Sequence, residues 1–347
     1  MRRALFVPGM VLAASACVPD LDTDDSLVSA PRVLAVVAEP AESRPGTQVS
    51  YSALLVDQAG PRDQGVLAWF YCLAQKPLAE LGPIDPQCLE RGAGKLSSIG
   101  RGPAVEAMMP KDACSLFGPN IPAPEEGEEP GRPVDPDDTG GYKQPVVLGF
   151  NAGQGDQLVL YEQRIACDLA GVSAPVATEF RLRYHANQNA GLGEVVAFRG
   201  DGERISLHAG DVLDAAPGEQ LSLSARWEAC PESDVCGDGV CGPEEDRVGC
   251  AEDCAMPAGC AGQERYVWFD SQERVLKVRR ESMSIAWYNT AGSYAQERTG
   301  ADEDDTAQRS DNQWTAPSET GELTLWLVVR DARGGVGTFQ LGVRVRD

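Results

Sequence analysis

The chain has 347 residues and a formal net charge of −23, with 53 acidic residues against 30 lysines and arginines. This length is enough for two domains, each with its own core. The negative charge opposes binding to nucleic acids and anionic membrane surfaces, so we expect no nucleic-acid partner. After Cys17 the sequence has no apolar run of about 18 residues, so we expect no membrane-spanning helix.

The N-terminus has the layout of an export signal. Arg2 and Arg3 precede an apolar run, and the small residues Ala14-Ser15-Ala16 precede Cys17. This segment resembles a bacterial lipobox, which implies that residues 1–16 are removed and that Cys17 becomes the lipid-acylated first residue. The resemblance implies a lipid-anchored protein of the cell envelope. Because Val18 and not aspartate directly follows Cys17, the resemblance favours the outer membrane, on its periplasmic or its surface face.

The cysteine count favours acylation of Cys17. The chain has eleven cysteines, and without Cys17 an even number remains that can pair completely in an oxidising compartment. The alternative is an ordinary signal peptide, with Cys17 as a disulfide partner. We expect disulfides at the ten other cysteines: Cys72, Cys88, Cys114, Cys167, Cys230, Cys236, Cys241, Cys250, Cys254 and Cys260.

The next part of the chain predicts a tether followed by strands. Residues 17–31 contain four aspartates and no apolar periodicity, which predicts a flexible tether. From Arg32 onward, β-branched and aromatic runs alternate with Pro and Gly turns, as at 48–57 and 67–73. We predict a first β-sandwich over residues 32–186, closed by a strand at 179–185.

Two segments of the first sandwich recur later in the chain. Residues 45–53 (PGTQVSYSA) parallel residues 217–225 (PGEQLSLSA), and Leu67-Ala68-Trp69-Phe70-Tyr71 parallels Ile285-Ala286-Trp287-Tyr288-Asn289. The pattern resembles immunoglobulin-like sandwiches, in which such tryptophans fill the space between the two sheets. It predicts an all-β fold of two immunoglobulin-like β-sandwiches, the second over residues 187–347.

The C-terminal end carries a further pattern. Trp314 and Pro317 precede a long apolar run at 321–331, which is followed by the glycine-rich stretch 331–337 and a last apolar run. This order resembles PKD-like bacterial domains, and it implies that residues 331–337 form a hairpin turn between the last two strands.

The first sandwich is expected to carry an acidic, proline-rich insertion at about 76–143, where the strand pattern is lost. Within it, Pro119–Gly141 holds six prolines and seven acidic residues, which predicts disorder. Two disulfides would tie the insertion to the sandwich. Pairing of Cys72 with Cys167 would imitate the inter-sheet bridge of immunoglobulin domains; the alternative pairs Cys72 with Cys88 and Cys114 with Cys167.

The second sandwich is expected to carry a cysteine-rich insertion at 230–260, with six cysteines in thirty-one residues. Its CGDGxC and CxxDC pattern resembles short modules of bacterial surface proteins and, more distantly, Notch-type calcium modules. Three interpretations stay open: a purely structural disulfide staple, a module that binds Ca²⁺, and a zinc site, which would need free thiolates. The candidate calcium ligands are Asp238, Glu244, Glu245, Asp246 and Asp253. The second acidic run, Asp302–Asp305, is predicted to be a solvated loop.

The sequence gives little support to catalysis. His185 and His208 are the only histidines, and neither belongs to a nucleophile or metal-hydrolase motif. We therefore expect a non-enzymatic adhesion, envelope-structure or assembly component whose exposed loops contact envelope proteins or polysaccharide. One alternative is a secreted hydrolase, or its accessory domain, that uses an acidic cluster; the other is a passive scaffold. Arg199-Gly200-Asp201 is predicted to be a β-turn.

Overall fold

The computed structural model describes residues 25–62, 68–76, 84–90, 94–121, 137–151, 155–239, 241–246, 248–254 and 259–347. Cys17 and the proline-rich residues 122–136 lie outside these ranges. The described chain is almost entirely β, with two immunoglobulin-like sandwiches and one extra hairpin. This confirms the all-β fold class. No helix among the described residues is long and apolar enough to cross a membrane.

The first sandwich packs two sheets against each other. Its strands are β1 (Arg32–Glu39), β2 (Glu42–Ser43), β3 (Gln48–Asp57), β4 (Gly60–Pro61), β5 (Ala68–Cys72), β6 (Leu96–Arg101), β7 (Ala104–Met108), β8 (Gly141–Asn151) and β9 (Asp156–Ala166). One sheet has the order β1-β3-β4, with β7 also paired to β3, and the other has the order β2-β9-β8-β5-β6. A short 3-10 helix (Pro86–Cys88) and helix α1 (Ala113–Leu116) lie in the connections.

Alternation in β3 shows why this segment forms a strand. Val49 and Tyr51 are buried between the sheets, while Ser50 and Ser52 face solvent. On the opposite sheet, Trp69 is fully buried, and its indole N–H donates to the Gly102 carbonyl at 2.8 Å. The tryptophan therefore fills the space between the sheets and satisfies its polar atom.

The stretch at 76–143 differs from the expected insertion. It contains β6 and β7, which pair with β5 and β3, so part of this stretch completes the sandwich. The expectation that strand pattern is lost throughout 76–143 is wrong. The sequence of β6, Leu-Ser-Ser-Ile-Gly-Arg, has little apolar periodicity, because an edge strand of a sheet needs few buried side chains.

The second sandwich also packs two sheets. Its strands are β10 (Leu192–Phe198), β11 (Arg204–Leu207), β12 (Val212–Ala215), β13 (Gln220–Trp227), β16 (Met283–Asn289), β17 (Ser293–Tyr294), β18 (Arg298–Ala301), β19 (Arg309–Thr315), β20 (Gly321–Asp331) and β21 (Val336–Val345). Between them, β14 (Arg265–Asp270) and β15 (Val275–Arg280) form a separate hairpin. The sheet orders are β11-β10-β13-β19-β17 and β12-β21-β20-β16-β18.

The two sandwiches share the features on which the sequence repeat was based. The turns before β3 and β13 place Gly46 at φ 78° and Gly218 at φ 72°, a region that favours glycine. Trp287 in β16 is fully buried like Trp69, and its indole N–H donates to the Thr299 hydroxyl at 2.8 Å. Residues 331–335 form the turn of the β20–β21 hairpin, as expected.

A helix replaces the strand expected at 179–185. Helix α2 (Ala174–Arg183) begins with Pro175 in its first turn, where proline's missing N–H costs no hydrogen bond. Phe180 and Tyr184 are four residues apart, and their rings stack with centroids 4.8 Å apart. The alternation of apolar and basic residues that indicated a strand therefore belongs to a helix that ends at Arg183 and to its extended C-cap residue, Tyr184.

The two sandwiches meet through an apolar contact. Its buried members come from the N-terminal segment, β1 and β3 on one side and β16, β20 and β21 on the other: Val28, Leu34, Ala35, Val56, Ala286, Trp326, Val328 and Val336. Part of the expected tether belongs to this contact, since Val28 is fully buried and hydrogen-bonds to Asn289 of β16. Residues 26–28 are thus held in the fold, although residues 17–31 were expected to be flexible.

Candidate functional site

The first sandwich contains two disulfides, Cys72–Cys88 and Cys114–Cys167. The expected Cys72–Cys167 bridge is therefore wrong, and the alternative pairing is present. Cys72 ends β5 and Cys167 follows β9, two strands of one sheet that are separated by β8. Two strand spacings amount to about 9–10 Å, which exceeds the Cα–Cα distance that a disulfide spans.

The cysteine-rich insertion contains three disulfides, and we call its residues 230–260 the knot. Cys230–Cys260 closes its base, while Cys236–Cys250 and Cys241–Cys254 cross each other inside it. All ten cysteines after Cys17 are thus paired in the structure. Because these sulfurs are bonded to each other, the knot offers no thiolate to a zinc ion.

Three arginines fasten the knot to the rest of the molecule. Arg265 of β14 lies 3.1 Å from the Asp234 carboxylate, and Arg280 of β15 lies 2.6 Å from the Glu232 carboxylate. From α2, Arg183 donates to the Pro243 carbonyl at 3.0 Å. These contacts hold the knot between α2 and the β14–β15 hairpin.

Glycine permits the tightest approach inside the knot. A Cβ atom on Gly242 would lie 2.2 Å from the Ser233 carbonyl oxygen, so no larger residue fits. The Gly242 N–H donates to the Glu245 carboxylate at 2.7 Å, and the Asp234 carboxylate accepts from the Glu244 N–H at 3.0 Å. The acidic side chains of this segment therefore organise its own backbone.

The five candidate calcium ligands do not form one cluster. Glu244 is exposed and pairs with Arg183 at 2.9 Å, and Asp246 accepts from the N–H groups of Val248 and Gly249 in its own turn. Asp238 lies exposed in the turn after Cys236. Glu245 and Asp253 do come together: one carboxylate oxygen of each lies within 4.8 Å of the other, beside the Cys236–Cys250 disulfide.

A third carboxylate near this disulfide was missed at the sequence level. Glu252 has an oxygen 3.7 Å from the Cys236 sulfur, and Asp253 has an oxygen 3.3 Å from the Cys250 sulfur. Asp253 also accepts from the N–H groups of Gly237 and Gly239, at 2.6 and 3.1 Å. Nothing in the sequence separates Glu252 from its acidic neighbours, because its position depends on how the disulfides cross.

A second group of charged side chains is buried where the two sandwiches, α2 and the β14–β15 hairpin meet. We call it the junction cluster, and we define it by the partly buried Tyr184 and seven buried residues: Glu42, Arg164, His185, Glu264, Glu281, Asp331 and Arg333. Buried charges are costly unless they are paired and hydrogen-bonded, so the partners of each member decide what the cluster does.

Arg333, in the β20–β21 turn, is the centre of the junction cluster, and it is 1% exposed. Its guanidinium contacts the Glu264 carboxylate, lies 2.6 Å from the Glu281 carboxylate and donates to the His185 carbonyl at 2.9 Å. It also lies 4.6 Å from the centre of the Tyr266 ring. Arg333 therefore links the second sandwich to the segment after α2 and to the ends of the hairpin.

Glu42 links the first sandwich to the same segment. Its carboxylate lies 3.1 Å from Arg164 and accepts hydrogen bonds from the Tyr184 hydroxyl at 2.6 Å and the Asn187 N–H at 2.9 Å. Burial alone would raise the pKa of Glu42, but Arg164 and Arg333 hold this pKa below its ordinary value. Glu42 therefore remains ionised in the interior.

Glu281 is shifted in the opposite direction. Burial raises the pKa of its carboxyl group to about 8; Arg333 opposes this shift, while Asp331 and Glu264 add to it. One arginine thus faces several carboxylates. The stability of the fold should therefore depend on pH through Glu281.

The two histidines and the turns at 199–202 and 302–305 complete the positions considered from the sequence. His185 is buried with Nδ1 3.3 Å from Glu264, whereas His208 is exposed and lies 3.7 Å from Asp211. Residues 199–202 form a turn in which the Gly202 N–H donates to the Arg199 carbonyl at 3.0 Å. The Arg199 guanidinium pairs with the Glu219 carboxylate. Asp302–Asp305 forms an exposed turn, as predicted.

No protein-family model matches the chain, and no curated protein sequence matches it. Several solved structures are similar to it over most of its length. They include fibronectin(III)-like modules of CbhA from Clostridium thermocellum, at 10% identity over 91% of this chain and 94% of that chain, with a TM-score of 0.19. The adhesin InvE from Yersinia pseudotuberculosis is similar at 9% identity over 90% of this chain and 58% of that chain, with a TM-score of 0.18.

Dimeric latent PorU from Porphyromonas gingivalis is similar at 10% identity over 92% of this chain, with a TM-score of 0.20. This chain spans 24% of the PorU chain. At such TM-scores these similarities carry no argument about what the protein does.

Proposed function

We propose that this protein is a non-catalytic lipoprotein of the bacterial cell envelope that presents the knot to a protein or polysaccharide partner. Acylation at Cys17 would hold it at the outer membrane, on the periplasmic or the surface face. We also propose that the second sandwich is a PKD-like domain. The support is that Trp314 is followed in order by the long strand β20, a turn and the last strand β21.

The observation that carries the proposal is the surface of the knot. Val248 and Val235 are 76% and 66% exposed, the largest values among the exposed large apolar side chains of the described residues. Both lie in a segment that three disulfides and three arginines hold in place. A rigid segment loses little conformational entropy on binding, so exposed apolar groups on it suit a docking surface.

The first experiment tests the anchor. Intact and peptide mass spectrometry of the membrane-extracted protein, without reductant, should find a mature N-terminus at a diacylglyceryl-modified Cys17. The ten other cysteines should be oxidised. An unmodified Cys17, or free thiols in the extracted protein, would remove the envelope address from the proposal.

The second experiment tests the partner surface. The double variant Val235→Glu/Val248→Glu should weaken binding of the full chain to outer-membrane proteins or envelope polysaccharide by about tenfold or more. Val212→Glu is the matched control, because Val212 is 54% exposed on the second sandwich and should leave binding unchanged. If the wild-type protein binds none of these fractions, the passive-scaffold alternative replaces this proposal.

A further inference from the structure

The Cys236–Cys250 disulfide has an unusual number of acidic neighbours. Oxygens of Glu252 and Asp253 lie 3.7 and 3.3 Å from its sulfurs, and a Glu245 oxygen lies within 4.8 Å of both sulfurs and of Asp253. In the part of the chain that the structure describes, none of these three carboxylates has an ion pair with a lysine, arginine or histidine. Among the described residues, their mutual repulsion is therefore not relieved by a directly paired cationic side chain.

The surroundings of Glu245 give a second observation that indicates a bound ligand. This residue is 7% exposed, and one carboxylate oxygen accepts from the Gly242 N–H at 2.7 Å. The other oxygen, Oε1, is buried without a hydrogen-bond partner. A desolvated and unpaired carboxylate oxygen is unfavourable, so a ligand that binds this oxygen would stabilise the knot.

The donor chemistry selects the class of ligand. The two nearest sulfurs are joined in a disulfide, which leaves only oxygen donors, and hard divalent cations prefer oxygen. Calcium binds oxygen at about 2.3–2.6 Å, so two oxygens on one calcium ion can be up to about 5 Å apart. The 4.8 Å limit between the Glu245 and Asp253 oxygens falls within this range. Magnesium needs shorter bonds and near-ideal octahedral geometry.

We propose that the knot binds one calcium ion between Glu245 and Asp253, beside the Cys236–Cys250 disulfide. Hydrogen bonds from Gly237 and Gly239 orient the Asp253 carboxylate, which keeps lone pairs for a metal. Exposed Glu252 adds negative charge at the mouth of the site. Backbone carbonyls and water complete the coordination. The ion joins the two ends of the crossed disulfide loops and so stiffens the segment that carries Val235 and Val248.

The test is calcium binding to the full-length, oxidised protein by calorimetry and native mass spectrometry. The wild type should bind one Ca²⁺ per chain with a Kd between about 10⁻⁶ and 10⁻³ M, and should bind Mg²⁺ more weakly. Glu245→Gln should weaken calcium binding by about tenfold or more, because it removes the buried charged ligand. Glu244→Gln, the matched control on the adjacent residue, should change the Kd by less than about threefold, because Glu244 pairs with Arg183 instead.

Further measurements keep the proposal testable if Glu245→Gln disturbs the disulfides. Glu252→Gln changes only an exposed side chain and should weaken calcium binding by about two- to fivefold. Calcium should also slow hydrogen exchange across residues 236–254 of the wild type. The proposal fails if calcium up to about 10 mM neither binds nor slows this exchange, or if Glu245→Gln and Glu244→Gln give equal affinities.

These measurements need no protein or polysaccharide partner. A failure of calcium binding therefore leaves the proposed docking function standing, and a failure to find a partner leaves the calcium site standing.

Discussion

The two sandwiches have the same framework but stabilise their cores with different side chains. The core of the first contains one tryptophan, Trp69, and four disulfide-bonded cysteines: Cys72, Cys88, Cys114 and Cys167. The core of the second contains Trp227, Trp287 and Trp314 and no cysteine. Its disulfides all lie in the knot, outside that core.

This difference follows from what each sandwich carries. Connections of the first sandwich leave and re-enter it near its cysteines, so covalent links hold them to the core. The second sandwich holds its insertion through arginine contacts and the junction cluster, and it fills its core with large aromatic side chains. We therefore expect the loss of a core disulfide to act mainly on the first sandwich, and the loss of Arg333 to act mainly on the second.

Arg333→Met should have the largest effect. Removing the centre of a buried ionic cluster leaves the Glu264 carboxylate without its guanidinium partner and the Glu281 carboxyl group without its guanidinium donor, which costs about 3–5 kcal/mol in the free energy of unfolding. Urea unfolding of the variant with intact disulfides should show this loss. Because Arg333 connects the second sandwich to the segment after α2, the variant should also unfold in separate transitions for the two sandwiches. Arg346→Met is the control, because Arg346 is exposed and its pair with Asp214 contributes little. Equal losses in both variants would contradict a central role for Arg333.

Cys114→Ala/Cys167→Ala should act on the first sandwich alone. The disulfide closes a loop of 53 residues, for which chain entropy predicts a stabilisation of about 4 kcal/mol. Hydrogen exchange should accelerate in β8 and β9 and stay unchanged in β20 and β21. The comparison variant Cys230→Ala/Cys260→Ala should loosen the knot and leave the exchange of both sandwiches unaltered. Faster exchange in the second sandwich of the first variant would refute the assignment.

Glu281→Gln should reveal a proton effect of the junction cluster. In the folded protein the pKa of Glu281 is raised to about 8, against an ordinary value of 4.5, so the folded state binds more protons between these values. The free energy of unfolding of the wild type should therefore fall, relative to Glu281→Gln, as pH rises from about 5 to 8, by roughly 1–3 kcal/mol. Urea unfolding at several pH values measures this difference. Glu322→Gln is the control, because Glu322 is exposed and pairs only with the exposed Arg344 among the described residues. A flat difference would show that Glu281 is ionised throughout.

The smallest effects are expected at the two equivalent turns. Gly46→Ala and Gly218→Ala place a side chain at a positive φ with no contact closer than 3.8 Å, so strain alone should cost about 1 kcal/mol in each case. Thermal unfolding combined with hydrogen exchange should localise each loss to its own sandwich. Clearly unequal losses would show that the two turns are not equivalent.

The framework could be predicted because its signals are local. The Pro-Gly turns, the alternating strands β3 and β13, and the hairpin of β20 and β21 each lie within one short stretch of sequence. The prediction failed where one sequence pattern fits both a strand and a helix. The alternation around Phe180 fits a strand, but the segment is helical to Arg183, and Phe180 stacks on Tyr184 at the end of the helix. Edge strand β6 was missed because few of its side chains need burial.

The sites were less predictable because they depend on tertiary contacts. Cysteine density identified the knot, and Glu245 and Asp253 were among the candidates, but only the crossed disulfides separate them from Glu244 and Asp246. The junction cluster gave no signal. Glu42 and Arg333 come from opposite ends of the chain, and in the sequence a buried charge is indistinguishable from an exposed one.

The attachment of the N-terminal segment to β16 also determines how the molecule responds to mechanical force. The Val28 N–H donates to the Asn289 carbonyl at 2.8 Å, and the Asn289 N–H donates to the Ser26 carbonyl at 2.9 Å. When the chain is held on the N-terminal side of residue 25 and pulled at the knot, tension passes directly into the second sandwich through these bonds. The first sandwich lies outside this load path and is sheltered from the pull.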